Sequence, residues 1–288
     1  MQRNRKTNEK RSYEKSTFPN MSCYGIRFLL ACAKKESSQS KDTTKAKEDR
    51  VITVATYTKP SSTFLELVED NVKEKGYTLK IETVSDYIQA NIALENKEHD
   101  ANLLQHEFFM DIFNKENKGH LVSITPIYHS LAGFYGKGLK SIDDLKDGSR
   151  VAIPSDPSNM TRALLLLQEK NLIKLKKTDK PTKAIEDITD NPKQLAIEPV
   201  ALLNLNQAYF EYDLVFNFPA YVAKINLTPQ KDRLLYEKKP DVHFAGVLVA
   251  RQDNKNSAKI KVLEEVLTSD EIRDYITNEL PSEAEVAF

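Results

Sequence analysis

The sequence predicts an α/β protein built as two lobes with a cleft between them. Three observations carry this. From Val51 to Ala93 the chain alternates strand and helix patterns as β-α-β-α, the mark of a parallel sheet covered by helices. A second such unit follows, with a strand at Val151 to Ile153 and a helix from Ser158 to Lys170. Extended crossings near 130–137 and 217–224 join the two patterns, and the last strand and helices have no third sheet to join. They therefore return to the first lobe. The expected boundaries are 51–132 plus 222–288 for one lobe and 133–221 for the other, with 1–50 preceding both.

Val51 to Thr56 is β-rich and alternates, so it reads as a strand. The next helix places Phe64, Leu67, Val68 and Val72 on one face and stops at Gly76. Tyr77 to Val84 alternates again, and Ser85-Asp86 can cap a helix through Ala93. The segment Asp100 to His106 precedes a helix from about Glu107 to Phe113, and His120 to Tyr135 reads as two strands. Strands are expected at Leu172 to Leu175, Leu195 to Ile197, Asp213 to Phe216 and Leu234 to Tyr236. Helices are expected at Thr182 to Ile188 and Ala201 to Tyr209. His243 to Ala250 is a strong strand, followed by amphipathic helices over Ser257 to Leu267 and Asp270 to Leu280.

Composition narrows the function. The 288 residues are 40% hydrophobic and 29% charged with a net charge of zero, which argues against a nucleic-acid partner. Only 8 glycines occur and none forms a phosphate loop. The five histidines show no metal-ligand spacing, so no metal or cofactor is expected. No G-x-S-x-G elbow exists, and the only cysteines, Cys23 and Cys32, precede the body, so no catalytic activity is expected. No apolar run reaches 18 residues.

Residues 1–22 are basic and polar. Leu29-Leu30-Ala31-Cys32 then resembles a bacterial lipobox, in which the cysteine is lipidated. The apolar stretch before it is short and is interrupted by Arg27, against the roughly 7–15 apolar residues of a secretory signal. A charged Ser/Lys/Thr-rich tether runs from Lys34 to Arg50.

One stretch organises the body. Pro154 to Gln168 leaves a strand, turns through Asp156-Pro157-Ser158-Asn159 and enters a helix whose first turns carry Arg162. Free N–H groups and the positive dipole end of a helix attract an anion, and a guanidinium adds a bidentate donor for a carboxylate or phosphate. The alternative is a capped helix bearing a surface arginine. Clefts between lobes are where small ligands bind, and two such lobes are the arrangement of bacterial solute-binding proteins.

The chain also resembles the NlpA-type family of methionine-binding lipoproteins, the substrate-binding subunits of bacterial methionine ABC importers. The matching stretches are Asp100 to His106, Ser141 to Ser149, Val151 to Gln168, Asn191-Pro192-Lys193 and Leu227 to Asp232, with matching spacing over about 50–280. Cys32 agrees with it. The resemblance implies a periplasmic-binding-protein fold of type II, with a free amino acid held between the lobes. It places Arg162 on the ligand carboxylate, with Asn159 in support in the same turn, His106 in the cleft lining and Asn217 on the backbone end of the ligand. It further implies an ABC-importer permease as partner, a lipid anchor on Cys32, a monomer, and a place on the cell membrane facing the periplasm or exterior.

Several positions depart from the family pattern. Leu104 stands where phenylalanine is common, Phe109 where tyrosine is, and Gly246 aligns with an asparagine. Tyr57, Tyr87, Tyr128 and His129 could supply replacement contacts. L-methionine, D-methionine, a methionine-containing dipeptide and another apolar amino acid all remain open as ligands. So does a surface lipoprotein of the same fold with lost or altered binding, acting as an adhesin or antigen.

Overall fold

The computed structural model describes residues 50–238 and 240–288. Cys32 and the rest of the expected signal and tether lie outside them. Thirteen strands follow in order: β1 (Val51–Thr56), β2 (Thr78–Thr83), β3 (Ala101–His106), β4 (Leu121–Ser130), β5 (Gly133–Tyr135), β6 (Arg150–Pro154), β7 (Lys174–Leu175), β8 (Ile188–Asp190), β9 (Ala196–Val200), β10 (Leu214–Asn217), β11 (Arg233–Tyr236), β12 (Ala245–Arg251) and β13 (Ala284–Val286).

The first lobe is a six-stranded sheet in the order β13-β4-β12-β3-β1-β2, and the second a five-stranded sheet in the order β11-β5-β10-β6-β9. β1 pairs in parallel with β2 and β3, as the opening β-α-β-α pattern predicts. β12 then inserts antiparallel between β3 and β4. β3 is central and covered on both faces, which is why Ala101 to His106 is nearly all buried instead of alternating.

One face of this sheet packs Ile52, Val54 and Leu248 against Phe64, Leu65, Ile260 and Leu263 from two helices. The other packs Val247 and Val249 against Leu94, Met110 and Phe113. In the second lobe Val151, Ile153 and Phe216 meet Leu164 and Leu167 of the helix Pro157–Glu169, while Ala152 and Val215 meet Leu205 and Ala208 on the opposite face. Helices on both faces of two mixed sheets, each with a parallel part, give the α/β architecture expected.

The first crossing lies where it is expected: only Leu131 and Ala132 separate β4 from β5. The second does not. Residues 217–224 are not extended; Pro219–Val222 is a short helix continued by a turn at Ala223–Ile225. Pro219 has no N–H to give to a sheet and suits a first helical turn. The chain stays in the second lobe through β11, which pairs antiparallel with β5 and buries Leu235. It returns only across 237–244. The boundary expected at residue 222 therefore moves to about Tyr236. Smaller differences have similar causes. Thr182 to Ile188 forms only one tight turn at Ile185–Asp187, and Ala201 to Tyr209 divides into two short turns.

Candidate functional site

A cavity with about 740 Å³ of empty space, part of it open to solvent, lies between the two sheets. The first lobe supplies Tyr57, Ser61, Tyr87, Leu104, Gln105, His106, Phe109, Tyr128 and Gly246, and the second supplies Asn159, Arg162, Leu202, Phe218 and Tyr221. Ser130 ends β4, and Phe244 comes from the return crossing. Of the residues singled out in the sequence, Arg162, His106, Asn159, Leu104, Phe109, Tyr57, Tyr87 and Tyr128 meet here.

Asn217 is not among the lining residues. It ends β10 fully buried, donates to Asn206 Oδ1 at 2.9 Å and accepts from the Phe218 N–H. Asn206 in turn donates to the Tyr221 carbonyl. The side chain thus braces the wall that carries Tyr221. His129 does not line the cavity either.

The helix Pro157–Glu169 begins as the sequence suggests, with Pro157 in its first position and Asp156 as cap. The Asp156 carboxylate accepts from the Asn159 N–H at 2.9 Å, the Ser158 hydroxyl at 2.8 Å and the Asn159 amide at 3.1 Å. The protein's own carboxylate therefore takes the positive end of this helix. The Asn159 N–H and the Ser158 hydroxyl, two donors this turn would offer a ligand anion, are thus bonded within the protein.

Arg162 is no surface arginine; it is 1% exposed, the largest fully buried side chain described. Its Nε donates to Glu237 Oε1 at 2.7 Å, and its Nη2 donates to Glu237 Oε2 at 2.6 Å and to the Ser130 carbonyl at 2.8 Å. Its guanidinium also lies 5.0 Å from the ring centre of Phe244. Nη1 has no protein partner among the described residues. Arg162 lines the cavity and Glu237 does not, so the pair holds one edge of the guanidinium from behind while the other edge is left for a ligand.

His106 ends β3 and caps the helix Glu107–Asn117. Its Nδ1 accepts from the Phe109 N–H at 3.1 Å, which fixes the ring proton on Nε2; Nε2 then donates to Asn159 Oδ1 at 3.1 Å across the cleft. Asn159 passes the direction on to the Asp156 carboxylate. Burial, and secondarily the Arg162 charge, push the His106 pKa down to about 4, so the ring is neutral. Both of its nitrogens are therefore used within the protein.

Aromatic rings form the rest of the wall. Tyr57 packs on Tyr87 with centroids 4.8 Å apart, and Tyr87 meets Phe109 at 6.0 Å. The hydroxyls of Tyr87 and Tyr221 bond to each other between the lobes. Burial pushes both phenols up, so each keeps its proton. Tyr128 bonds Ser61 at 3.0 Å and lies edge-on to Phe64. Its ring occupies the space a side chain at position 246 would need: a Cβ on Gly246 would come within 2.5 Å of it. The space beside Gly246 is thus filled by a tyrosine ring reaching over from β4.

Tyr57 and Tyr87 were legible as possible contacts. Phe218, Tyr221 and Phe244 were not singled out as contacts, and only their hydrophobicity next to Pro219 or a strong strand could have marked them. Glu237 follows a short strand with no local signature at all. Among the described residues no group of His, Cys, Asp and Glu could hold a metal, and no helix is long and apolar enough to cross a membrane.

The family model described as NlpA lipoprotein matches residues 52–288. The chain is 35% identical to the methionine-binding lipoprotein MetQ of Bacillus subtilis over 252 residues, which is 86% of this chain and 89% of that protein. It is also 35% identical to the probable D-methionine-binding lipoprotein MetQ of Vibrio cholerae over 209 residues, 71% of this chain and 77% of that one. Among solved structures it is similar to a nutrient-binding protein from Burkholderia cenocepacia bound to methionine. That similarity has a TM-score of 0.77 and 32% identity, covering 82% of this chain and 100% of the other.

Proposed function

The chain belongs to the NlpA lipoprotein family, and on that footing we propose that it captures methionine, or a closely related amino acid or short peptide, and delivers it to an ABC importer. It is a binding protein and not an enzyme. The observation that carries the reading is a buried guanidinium with one edge free, set at the end of an aromatic-walled cavity between two lobes. The free edge suits the ligand carboxylate. Tyr57, Tyr87, Phe109 and Tyr221 suit an apolar side chain, and a thioether packs well on ring edges.

Binding couples to closure by contacts that only the closed cleft allows, His106 with Asn159 and Tyr87 with Tyr221. A ligand that bridges the two walls favours that state in proportion to its differential affinity for it. Lipidation at Cys32, attachment to a membrane on its outer side, and a monomeric state complete the proposal. Titration calorimetry with L-methionine, D-methionine, methionine dipeptides and a panel of other amino acids tests it. Saturable binding of a methionine compound is expected. If none of these bound at millimolar concentration, the reading would fail.

A further inference from the structure

A clamp for carboxylates would ordinarily leave its arginine positive. Here the charge of Arg162 is answered from inside the protein. Glu237 meets it through two short bonds along the Nε–Nη2 edge, the fork geometry that an α-carboxylate would use. The Glu237 side chain is 12% exposed and has no other side-chain partner among the described residues. The second anion nearby, Asp156, is spent on the helix cap, and His106 is neutral because burial and Arg162 push it down to about 4. Lys59, the other cation at the cavity, is exposed and solvated. The Arg162–Glu237 pair on the cavity floor therefore carries no net charge, although Nη1 of the guanidinium is left free to donate.

We propose that Glu237 is a specificity-determining residue which cancels the charge of Arg162, so that the cavity selects ligands without net negative charge and accepts a neutral carbonyl oxygen there nearly as well as a carboxylate. It acts through Arg162 and is a positioning residue in that sense. The inference rests on the proposed function. The chemistry that fits is a zwitterionic amino acid, an amino-acid amide, or the carbonyl of a peptide bond. The two N–H groups of Nη1 can meet any of these, and the aromatic wall is indifferent to which. Without Glu237 the same donors would sit on an uncompensated buried charge. A carboxylate a few ångströms away would then gain roughly tenfold or more in affinity, and a neutral amide would not.

The test compares L-methionine with L-methioninamide by calorimetry, in the full chain and in Glu237→Gln. Glutamine keeps the length of the side chain and an oxygen to accept from Arg162. In the natural protein the amide is expected within about tenfold of the acid. In Glu237→Gln, L-methionine is expected to bind about tenfold tighter and the gap to widen to roughly a hundredfold. A gap of a hundredfold already in the natural protein, or a gap unchanged in Glu237→Gln, would overturn the proposal. So would weaker L-methionine binding in a folded Glu237→Gln, since that is what a purely structural brace predicts. Glu237→Asp keeps the charge and should keep the small gap; it stands in if Glu237→Gln fails to fold, and a wide gap there would equally overturn the proposal. If neither protein bound any amino acid, the proposed function itself would fall, and this inference with it. Binding of L-methionine with the wrong gap removes only the inference.

Discussion

Arg162→Ala tests two roles of one side chain at once. The arginine is 1% exposed and its partner Glu237 is 12% exposed on its side chain, so the pair is screened little by solvent. Removing the cation leaves a carboxylate near the protein interior with none of the side-chain partners it has in this structure. It also removes one of the two donors to the Ser130 carbonyl. Breaking a buried pair by deleting one partner costs about 3–5 kcal/mol. The partial exposure of Glu237 puts the expected loss toward the lower end, about 3 kcal/mol of unfolding free energy. Urea denaturation followed by circular dichroism measures it. Arg162→Ala/Glu237→Ala should recover about 1–2 kcal/mol of that loss, because neither charge is then stranded. Affinity for methionine should fall by about 2–5 kcal/mol in both variants, as a desolvated charge contact is lost. An Arg162→Ala protein as stable as the natural one, or one that binds methionine with unchanged affinity, would refute this reasoning.

Three further outcomes are expected. His106 is neutral in the folded protein with a pKa near 4 and titrates near 6.5 when unfolded, so the unfolded chain takes up more protons between those values. Its contribution to stability is therefore complete above about pH 6.5 and is lost as pH falls toward 4, by up to about 3 kcal/mol; denaturation midpoints in His106→Gln should show a shallower slope over that window. Gly246→Ala pushes a methyl into the Tyr128 ring, which Ser61 and Phe64 hold, and should cost about 1–3 kcal/mol in stability and weaken methionine binding, by thermal melting and calorimetry. Cys32→Ser should abolish incorporation of radiolabelled palmitate in bacterial cells, with labelling of the variant counting against the anchor.

What was legible in the sequence divides by distance along the chain. β1, β2 and the helix Pro157–Glu169 carry their own periodicity and caps, so each is written within a dozen residues. β11 is written elsewhere: Leu234 and Leu235 read as a strand, but pairing with β5 a hundred residues earlier decides which lobe owns it. That misplaced the return crossing. Arg162 was legible as an anion receptor because its helix start is a local pattern. That Asp156 answers the helix and Glu237 the arginine was not, since the first competes for the same donors and the second arrives from the far crossing. For the same reason the sequence marks His106 without showing that both ring nitrogens are engaged.

The two crossings differ in length in a way that has a mechanical meaning. Leu131 and Ala132 are buried and are all that lies between β4 and β5, so the chain there offers about four soft dihedral angles. The return across 237–244 is four times as long in residues. A joint with one short pin and one longer return turns about the pin. Rotation of one lobe against the other is then confined to an axis near Leu131, and displacement grows linearly with distance from it. The rims of the two lobes farthest from that axis travel most, so a partner that grips both would feel a small angular change as its largest change in span.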